Sequence, residues 1–112
     1  MEIKTSETKK PFNISEWNDT EKAFIKTPNG FDLLAVRDLF LTFYDKELDA
    51  ETRFDAGFRA ACMLIVKEDG NYLLSVEDKD VMRKASFLPY LRMFAFINDV
   101  IAESLTETLK KS

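Results

Sequence analysis

The feature that most restricts the fold of this chain is an apolar run near its C-terminus. The run reads FLPYLRMFAFINDVIAESL, from Phe87 to Leu105. Ser86 before it is a helix-capping residue type, and Pro89 then falls in the first turn, where a missing amide donor costs little. A helix that is apolar on nearly all sides must be central to its domain or shared between subunits.

The same run is a poor candidate for a membrane-spanning helix. A transmembrane helix needs about 20 consecutive residues that are predominantly apolar. Arg92, Asp99 and Glu103, with the polar Asn98 and Ser104, interrupt every window of that length. The sequence therefore predicts a helix buried in protein.

A second helix is predicted after the Asn29-Gly30 breaker, which Pro28 precedes. Asp32 is the predicted N-cap, and the helix is expected to run through Glu47 or slightly earlier. Its apolar residues form one stripe with a second set that widens it: Leu33, Val36, Phe40 and Phe43, then Leu34, Leu41 and Tyr44. A face this broad needs neighbours on more than one side.

The next helix is predicted to begin at Asp49, which can cap it. One face of this helix carries apolar residues at spacings of four, three and four: Phe54, Phe58, Ala61 and Ile65. Gly57 inside the helix costs about 1 kcal/mol relative to alanine. A close helix crossing at Gly57 would offset that cost.

The stretch KEDGNYLLSVEDKD, from Lys67 to Asp80, has three interpretations: a metal loop, a catalytic acid cluster or a joint between helices. A calcium loop with Gly70 at position six finds only one of its expected ligand positions filled. The five carboxylates lie beside two lysines, and nothing predicts the burial that would shift their pKa values. A joint remains the best interpretation.

As a joint, the stretch contains a turn at Asp69-Gly70-Asn71 and an apolar plug from Tyr72 to Leu74. Ser75 and Asp78 have the spacing of a capping box, with Asp in place of Glu or Gln. The sequence predicts a brief helix from Val76 to about Ala85, with Val81 and Met82 on its apolar side.

The N-terminal part of the chain is less regular. Residues 1–10 are expected to be a flexible leader, and residues 11–112 a single helical domain with a fraying C-terminus. Phe12 and Ile14 fit a short strand or hairpin, while the segment from Trp17 to Phe24 fits a helical turn equally well. The predicted fold is mainly α, a small domain of about four helices, with a short N-terminal strand or hairpin as the open alternative.

Composition excludes several classes of function. The 112 residues contain no histidine and one cysteine, which makes ordinary zinc sites, Ser-His or Cys-His catalysis and disulfide scaffolds improbable. Gly30, Gly57 and Gly70 lie too far apart for a phosphate-binding loop. The net charge of −4 and scattered basic residues argue against nucleic-acid binding. We expect a non-enzymatic intracellular protein without metal or cofactor.

The chain has a surplus of aromatic residues, with ten phenylalanines, three tyrosines and one tryptophan. A small domain has limited interior, and each large side chain left in water forgoes about 1.5–3 kcal/mol of burial. We therefore expect association with another copy or with a partner helix. The candidate protein-binding residues are Leu39, Phe40, Phe43, Tyr44, Tyr90, Met93, Phe94, Phe96 and Ile97.

The order of features also matches a known pattern. Glu16-Trp17 precedes a charged helix pair, and residues 68–78 then read Glu-Asp-Gly-Asn-Tyr-Leu-Leu-Ser-Val-Glu-Asp. Val81, Lys84 and the helix from Leu91 to Ile101 follow. This arrangement, from about Glu16 to Ser104, resembles the small tail assembly chaperones of long-tailed bacteriophages and prophages.

The resemblance implies a protein that self-associates and coats the long helical tape measure protein, which it keeps soluble until the tail tube polymerises. It also implies a location in the cytoplasm of the bacterial host and interaction with other tail proteins. An acidic exterior with apolar helix faces suits that role. The residues alone leave one alternative, a generic helical adaptor or regulatory module with an unrelated partner.

Overall fold

A computed structural model describes the backbone of residues 1–3 and 8–111, and the side chains of residues 1–3 and 8–103. Its elements, in chain order, are β1 (Lys9–Phe12), β2 (Ala23–Lys26), α1 (Gly30–Phe43), α2 (Ala50–Leu64), β3 (Ile65–Lys67), a 3-10 turn (Val76–Asp78), α3 (Lys79–Met82) and α4 (Leu88–Lys111). The prediction of a mainly α domain of about four helices is confirmed.

The three strands form an antiparallel sheet in the order β1-β2-β3. Phe12 pairs with Ala23 at the loop end of the β1–β2 hairpin, so the hairpin interpretation of residues 11–28 is the correct one. Strand β1 begins at Lys9, inside the segment expected to be a leader. Lys9, Lys10 and Pro11 occupy this edge strand, where lysine and proline discourage pairing with another sheet.

Helix α1 begins and ends earlier than predicted. Its N-cap is Asn29, whose side-chain oxygen accepts a hydrogen bond from the Asp32 backbone N–H at 2.8 Å. Asp32 lies in the first turn, so the prediction that it caps the helix was wrong. Both residue types favour a cap, and the extended backbone of Asn29 decides between them. The helix ends at Phe43, before Glu47.

Helix α2 starts as predicted, because the Asp49 carboxylate accepts a hydrogen bond from the Thr52 N–H at 2.7 Å. The C-terminal end of α2 was not predicted. Leu64 ends the helix and Ile65 enters β3 without a connecting loop, where it pairs with Ile25. A short apolar run at this position has no period that separates a buried strand from the last turn of a helix.

The stretch from Lys67 to Asp80 is a joint, as predicted. Gly70 has a φ of +90°, and the Asp69 carboxylate accepts a hydrogen bond from the Asn71 N–H at 2.9 Å. The Ser75 N–H donates to the Asp78 carboxylate at 2.8 Å, as a capping box requires.

Two details of the joint differ from the predictions. Tyr72 is 56% exposed, with the Lys26 ammonium group over its ring, so Leu73 and Leu74 contact the core without it. The third helix is one 3-10 turn followed by a four-residue α3 that ends at Met82. Met82 is buried, but Val81 faces solvent.

Helix α4 supplies the centre of the core. Four of its side chains are almost fully buried, namely Tyr90, Met93, Phe94 and Ile97. They belong to one buried cluster with Val36 of α1, Phe58 and Ala61 of α2, Ile25 of β2 and Ile14 of the β1–β2 loop. Of the two places predicted for this helix, a central position in the domain is the one observed.

Two contacts fasten the β1–β2 loop to α4 and the segment before it. The Trp17 indole N–H donates to the Ser86 carbonyl at 2.6 Å, and the ring meets Tyr90 edge-on at 5.2 Å. Beside it, both terminal nitrogens of the Arg92 guanidinium donate to the Glu16 carboxylate. This pairing lowers the pKa of Glu16 from 4.5 to about 2.

Gly57 provides a test of close packing. A Cβ atom there would lie 2.8 Å from Cδ2 and 2.9 Å from Cε2 of the Phe43 ring. Overpacking costs about 1–3 kcal/mol, while the gain in helix propensity is about 1 kcal/mol. We expect Gly57→Ala to lower the free energy of unfolding by about 1 kcal/mol in urea titrations.

The same substitution should behave differently when the ring is absent. In a Phe43→Leu background, Gly57→Ala should be neutral or stabilising by up to about 1 kcal/mol, because only the propensity gain remains. An equal loss in both backgrounds would show that the Phe43 ring is not the obstacle.

The Glu16–Arg92 ion pair predicts a pH-dependent contribution to stability. A carboxyl whose pKa is lowered by folding stabilises the protein above its unfolded pKa and loses that effect as pH falls through the folded pKa. The stability difference between wild type and Glu16→Gln should therefore be greatest near neutral pH and shrink between about pH 4.5 and pH 2.

Urea unfolding at pH 7, 4 and 2.5 measures this difference. Glu21→Gln is the control, since Glu21 is exposed in the same loop and has no ion-pair partner among the described residues. A pH-independent difference for Glu16→Gln would contradict the role of the ion pair.

Candidate protein-binding surface

Helix α1 carries an apolar face that no described part of the chain covers. The outer α1 face consists of Phe31, Leu34, Leu41 and Tyr44, which are 81%, 58%, 58% and 44% exposed. Spacings of three, seven and three residues place these side chains along one side of the helix. Solvent-exposed side chains of this size, grouped on one helix, are typical of an interaction site.

The opposite side of α1 explains why this face stays outside. Val36 is fully buried, and the Phe40 and Phe43 rings pack on Phe94 of α4 with centroids 5.6 and 4.8 Å apart. The apolar stripe is broader than the area that α2 and α4 cover. One side of α1 is therefore covered within the domain, and the other side is exposed.

Two charged residues lie within the outer α1 face, between Leu34 and Leu41, and they balance each other. Arg37 and Asp38 are neighbours on the exposed side of the helix and form an ion pair at 3.5 Å. Both side chains are more than half exposed, so the pair adds little to stability. The ion pair therefore adds no net charge to the outer α1 face.

An open groove adjoins the outer α1 face at Tyr44. This aromatic groove, with a volume of about 670 Å³, lies between the end of α1, the start of α2 and the segment from α3 to α4. Its aromatic lining is Phe43, Tyr44, Phe54, Phe87 and Tyr90. The volume is in the range of about 300–1,000 Å³ found for ligand-binding clefts.

Ion pairs hold the α3 side of the aromatic groove in place. Lys79 of α3 contacts Asp55 of α2 at 2.5 Å, and this contact lowers the pKa of Asp55. Arg83 binds both oxygens of Glu51 and lies over the Phe54 ring, 5.5 Å from its centroid. These contacts connect α2 to α3 and to Arg83 along one side of the groove.

One buried polar atom in this region has no hydrogen-bond partner among the described residues. The Tyr90 hydroxyl oxygen makes no hydrogen bond within the described residues, although the side chain is only 2% exposed. Burial raises the pKa of Tyr90, so the phenol stays neutral at physiological pH. The ring itself contributes to the core and to the wall of the aromatic groove.

Exposure divides the nine residues predicted to bind a partner. Tyr90, Met93, Phe94 and Ile97 are buried. Partly exposed side chains are those of Leu39, Phe40, Phe43 and Phe96, and Tyr44 is exposed. The binding role of all nine stays a prediction. Only the five partly or fully exposed side chains can make extensive contact with a partner while the core stays closed.

Sequence reasoning did not single out several exposed apolar residues as candidates, among them Phe31, Leu34, Leu41 and Phe87. The seven-residue spacing of Leu34 and Leu41 was the available signal for a second face on α1. No local pattern marks Phe87, because its exposure depends on where α3 and α4 sit.

The acidic residues of the joint do not gather into one site. Asp69 uses its carboxylate within its own turn, and these hydrogen bonds to Asn71 lower its pKa. Asp80 has a side chain 95% exposed. In the described part of the chain, no three side chains of metal-ligating type come together.

Two further observations concern Cys62 and the helices. The Cys62 thiol is half-buried against the core, and burial raises its pKa, which disfavours the reactive thiolate. Among the helices of the described residues, none has the length and apolar character that would let it cross a membrane.

Comparison with known proteins gives a likeness of fold. No protein-family model and no curated protein sequence matches the chain. Among solved structures, the tail assembly chaperone of bacteriophage HK97 is similar, with a TM-score of 0.54 and 15% sequence identity. The alignment covers 88% of this chain and 86% of the HK97 protein. At this identity the comparison shows a shared fold.

The unpaired Tyr90 hydroxyl makes Tyr90→Phe informative. Because removing an unpartnered buried hydroxyl relieves a desolvation cost of about 1–3 kcal/mol, we expect an unchanged or higher free energy of unfolding. Tyr90→Ala, which also removes the ring, should lose about 3–5 kcal/mol, by analogy with Phe→Ala. A loss of more than 1 kcal/mol for Tyr90→Phe in urea titrations would mean that the hydroxyl has a bonding partner in solution.

Proposed function

We propose that this protein is a phage or prophage tail assembly chaperone that binds the tape measure protein through exposed apolar helix surfaces. The observation that carries the proposal is the outer α1 face, an uncovered apolar surface in a chain whose fold is similar to that of a tail assembly chaperone. The sequence resemblance, drawn from residues 68–78 and the helix after them, points to the same role.

The physical requirements of such a chaperone fit this molecule. A long helical client exposes apolar side chains that would aggregate in water, and an apolar helix face can cover them in a helix-to-helix contact. The net charge of −4 then keeps the complex soluble. Self-association of the chaperone along the client, in the cytoplasm of the bacterial host, belongs to the same proposal.

The joint supports an interaction role over an enzymatic one. Of the carboxylates that raised the possibility of acid–base chemistry, Asp69 is used in a turn, Asp78 in a cap and Asp80 in an exposed ion pair. The remaining two, Glu68 and Glu77, are exposed. A generic helical adaptor with an unrelated partner is the competing function, and the outer α1 face would serve it equally. The identity of the client therefore decides between the two.

Co-expression with the tape measure protein of the same tail gene cluster tests the proposal. We expect the tape measure protein to become soluble and to co-purify with the wild-type chain. Leu34→Glu and Leu41→Glu together should abolish co-purification, because each places a charge in the apolar contact area. Thermal unfolding should change little, since both residues are more than half exposed.

Val76→Glu with Val81→Glu is the matched control. These residues are 82% and 69% exposed but lie on the 3-10 turn and α3. The control should retain the client. Failure of the wild-type chain to solubilise or retain the tape measure protein would contradict the proposed function, and loss in both double variants would contradict the assignment to α1. Light scattering after size-exclusion chromatography measures self-association.

A further inference from the structure

We propose that the aromatic groove receives a client segment in which a carboxylate lies beside bulky apolar side chains, and that Arg53 binds that carboxylate. This inference rests on the proposed function and names the chemistry of the client contact. Arg53 and Arg83 are the charged side chains that line the groove, and no carboxylate of the described residues lines it.

The argument begins with the charges of the arginines. Arg37, Arg59, Arg83 and Arg92 each form an ion pair with a carboxylate. Arg53 forms no ion pair with any residue that the structure describes. Its Nε–H donates to the Phe43 carbonyl at 2.9 Å, at the end of α1. A partly buried arginine without an ion-pair partner among the described residues is therefore present in a chain of net charge −4.

The geometry of Arg53 suits a carboxylate ligand. The Nε–H bond to the Phe43 carbonyl fixes the side chain, while the two terminal Nη groups make no hydrogen bond within the described residues. A guanidinium held in this way binds a planar carboxylate through two parallel hydrogen bonds, and holding it beforehand reduces the entropy lost on binding.

The rest of the groove suits apolar side chains next to that carboxylate. Phe54 and Phe87 lie on its walls, and Phe87 is 59% exposed, so apolar area remains available there. The positive charge of Arg83 is already matched by Glu51 and Asp80. Complementarity therefore favours one carboxylate flanked by large apolar side chains. A wholly apolar segment would leave Arg53 without a counter-charge.

Peptide binding to the full-length chain tests this inference. Peptides of about 15 residues that tile the tape measure protein are compared with versions in which each Asp or Glu is replaced by its amide. A second set contains designed helices with Leu and Phe four residues apart and either Glu or Gln between them. We expect wild type to bind a subset about tenfold more tightly when the carboxylate is present, as for a lost charged hydrogen bond.

Variants at the groove should then separate charge from shape. Arg53→Gln should bind acidic and amide peptides alike, at the weaker level of the amide peptides. Arg53→Lys, which keeps the charge, should retain part of the preference. Phe87→Ser should weaken both kinds of peptide. Arg59→Gln removes the same charge from an exposed site on α2 that does not line the groove, and should bind as wild type does.

Three results would overturn the inference. The first is the absence of any acid-dependent binder in both peptide sets. The second is an equal loss of affinity for acidic and amide peptides in Arg53→Gln, which would mean that the only role of Arg53 is its hydrogen bond to the end of α1. The third is a change in the oligomer size of Arg53→Gln without a change in peptide binding, which would make the groove a contact between copies of this chain.

The inference and the proposed function can fail separately. If Arg53→Gln and Phe87→Ser still co-purify with the tape measure protein as wild type does, the aromatic groove is not the client site, while the chaperone function stands. If wild type shows acid-dependent peptide binding but does not retain the tape measure protein, the groove is a peptide site of a protein with another client.

Discussion

The packing of the Phe43 ring on a glycine and on two further aromatic rings holds the helices of this protein together. The Phe43 ring lies against Gly57 of α2, Phe94 of α4 and Tyr90 of α4. A single side chain at the end of α1 thus contacts both of the other long helices. Because glycine has no Cβ, α2 can approach this ring more closely than any other residue would allow.

This packing also determines which surfaces remain outside. Once Phe40 and Phe43 pack on Phe94, α1 cannot rotate to bury Leu34 and Leu41 without withdrawing those rings. The outer α1 face is therefore a consequence of the core, and the aromatic groove lies where the Phe43 ring reaches the surface. The two surfaces meet at Tyr44, so one elongated client could contact both.

The structure separates two kinds of evidence for a chaperone. Residues 68–78, which contribute most to the sequence resemblance, form a turn and a helix cap and contain no candidate contact with a client. The candidate contacts lie on α1 and in the groove beside it, where the sequence shows only a broad apolar stripe. The part of the chain that carries the sequence resemblance and the part proposed to bind are thus different.

The features that depend on a few neighbouring residues could be predicted from the sequence. The Asp49 cap, the turn at Gly70 and the Ser75–Asp78 capping box follow from local hydrogen bonds that the chain can make wherever it folds. The composition of α4 restricted it to a place inside the domain or between subunits, because so apolar a helix cannot stay in water. The choice of Asn29 over Asp32 as the N-cap could not be predicted from the local sequence, since both residue types can cap a helix.

The features that depend on distant partners could not be predicted, because they arise from the packing of the whole chain. Strand β3 exists because Ile65 meets Ile25 of the hairpin, and Arg53 has no ion-pair partner among the described residues because of where their acids fold. Apolar residues are alike in sequence whether they face the core or solvent: Leu39 packs against the core, while Leu41 is 58% exposed. Exposure is set by the area that neighbouring elements can cover, and no single segment of sequence contains that information.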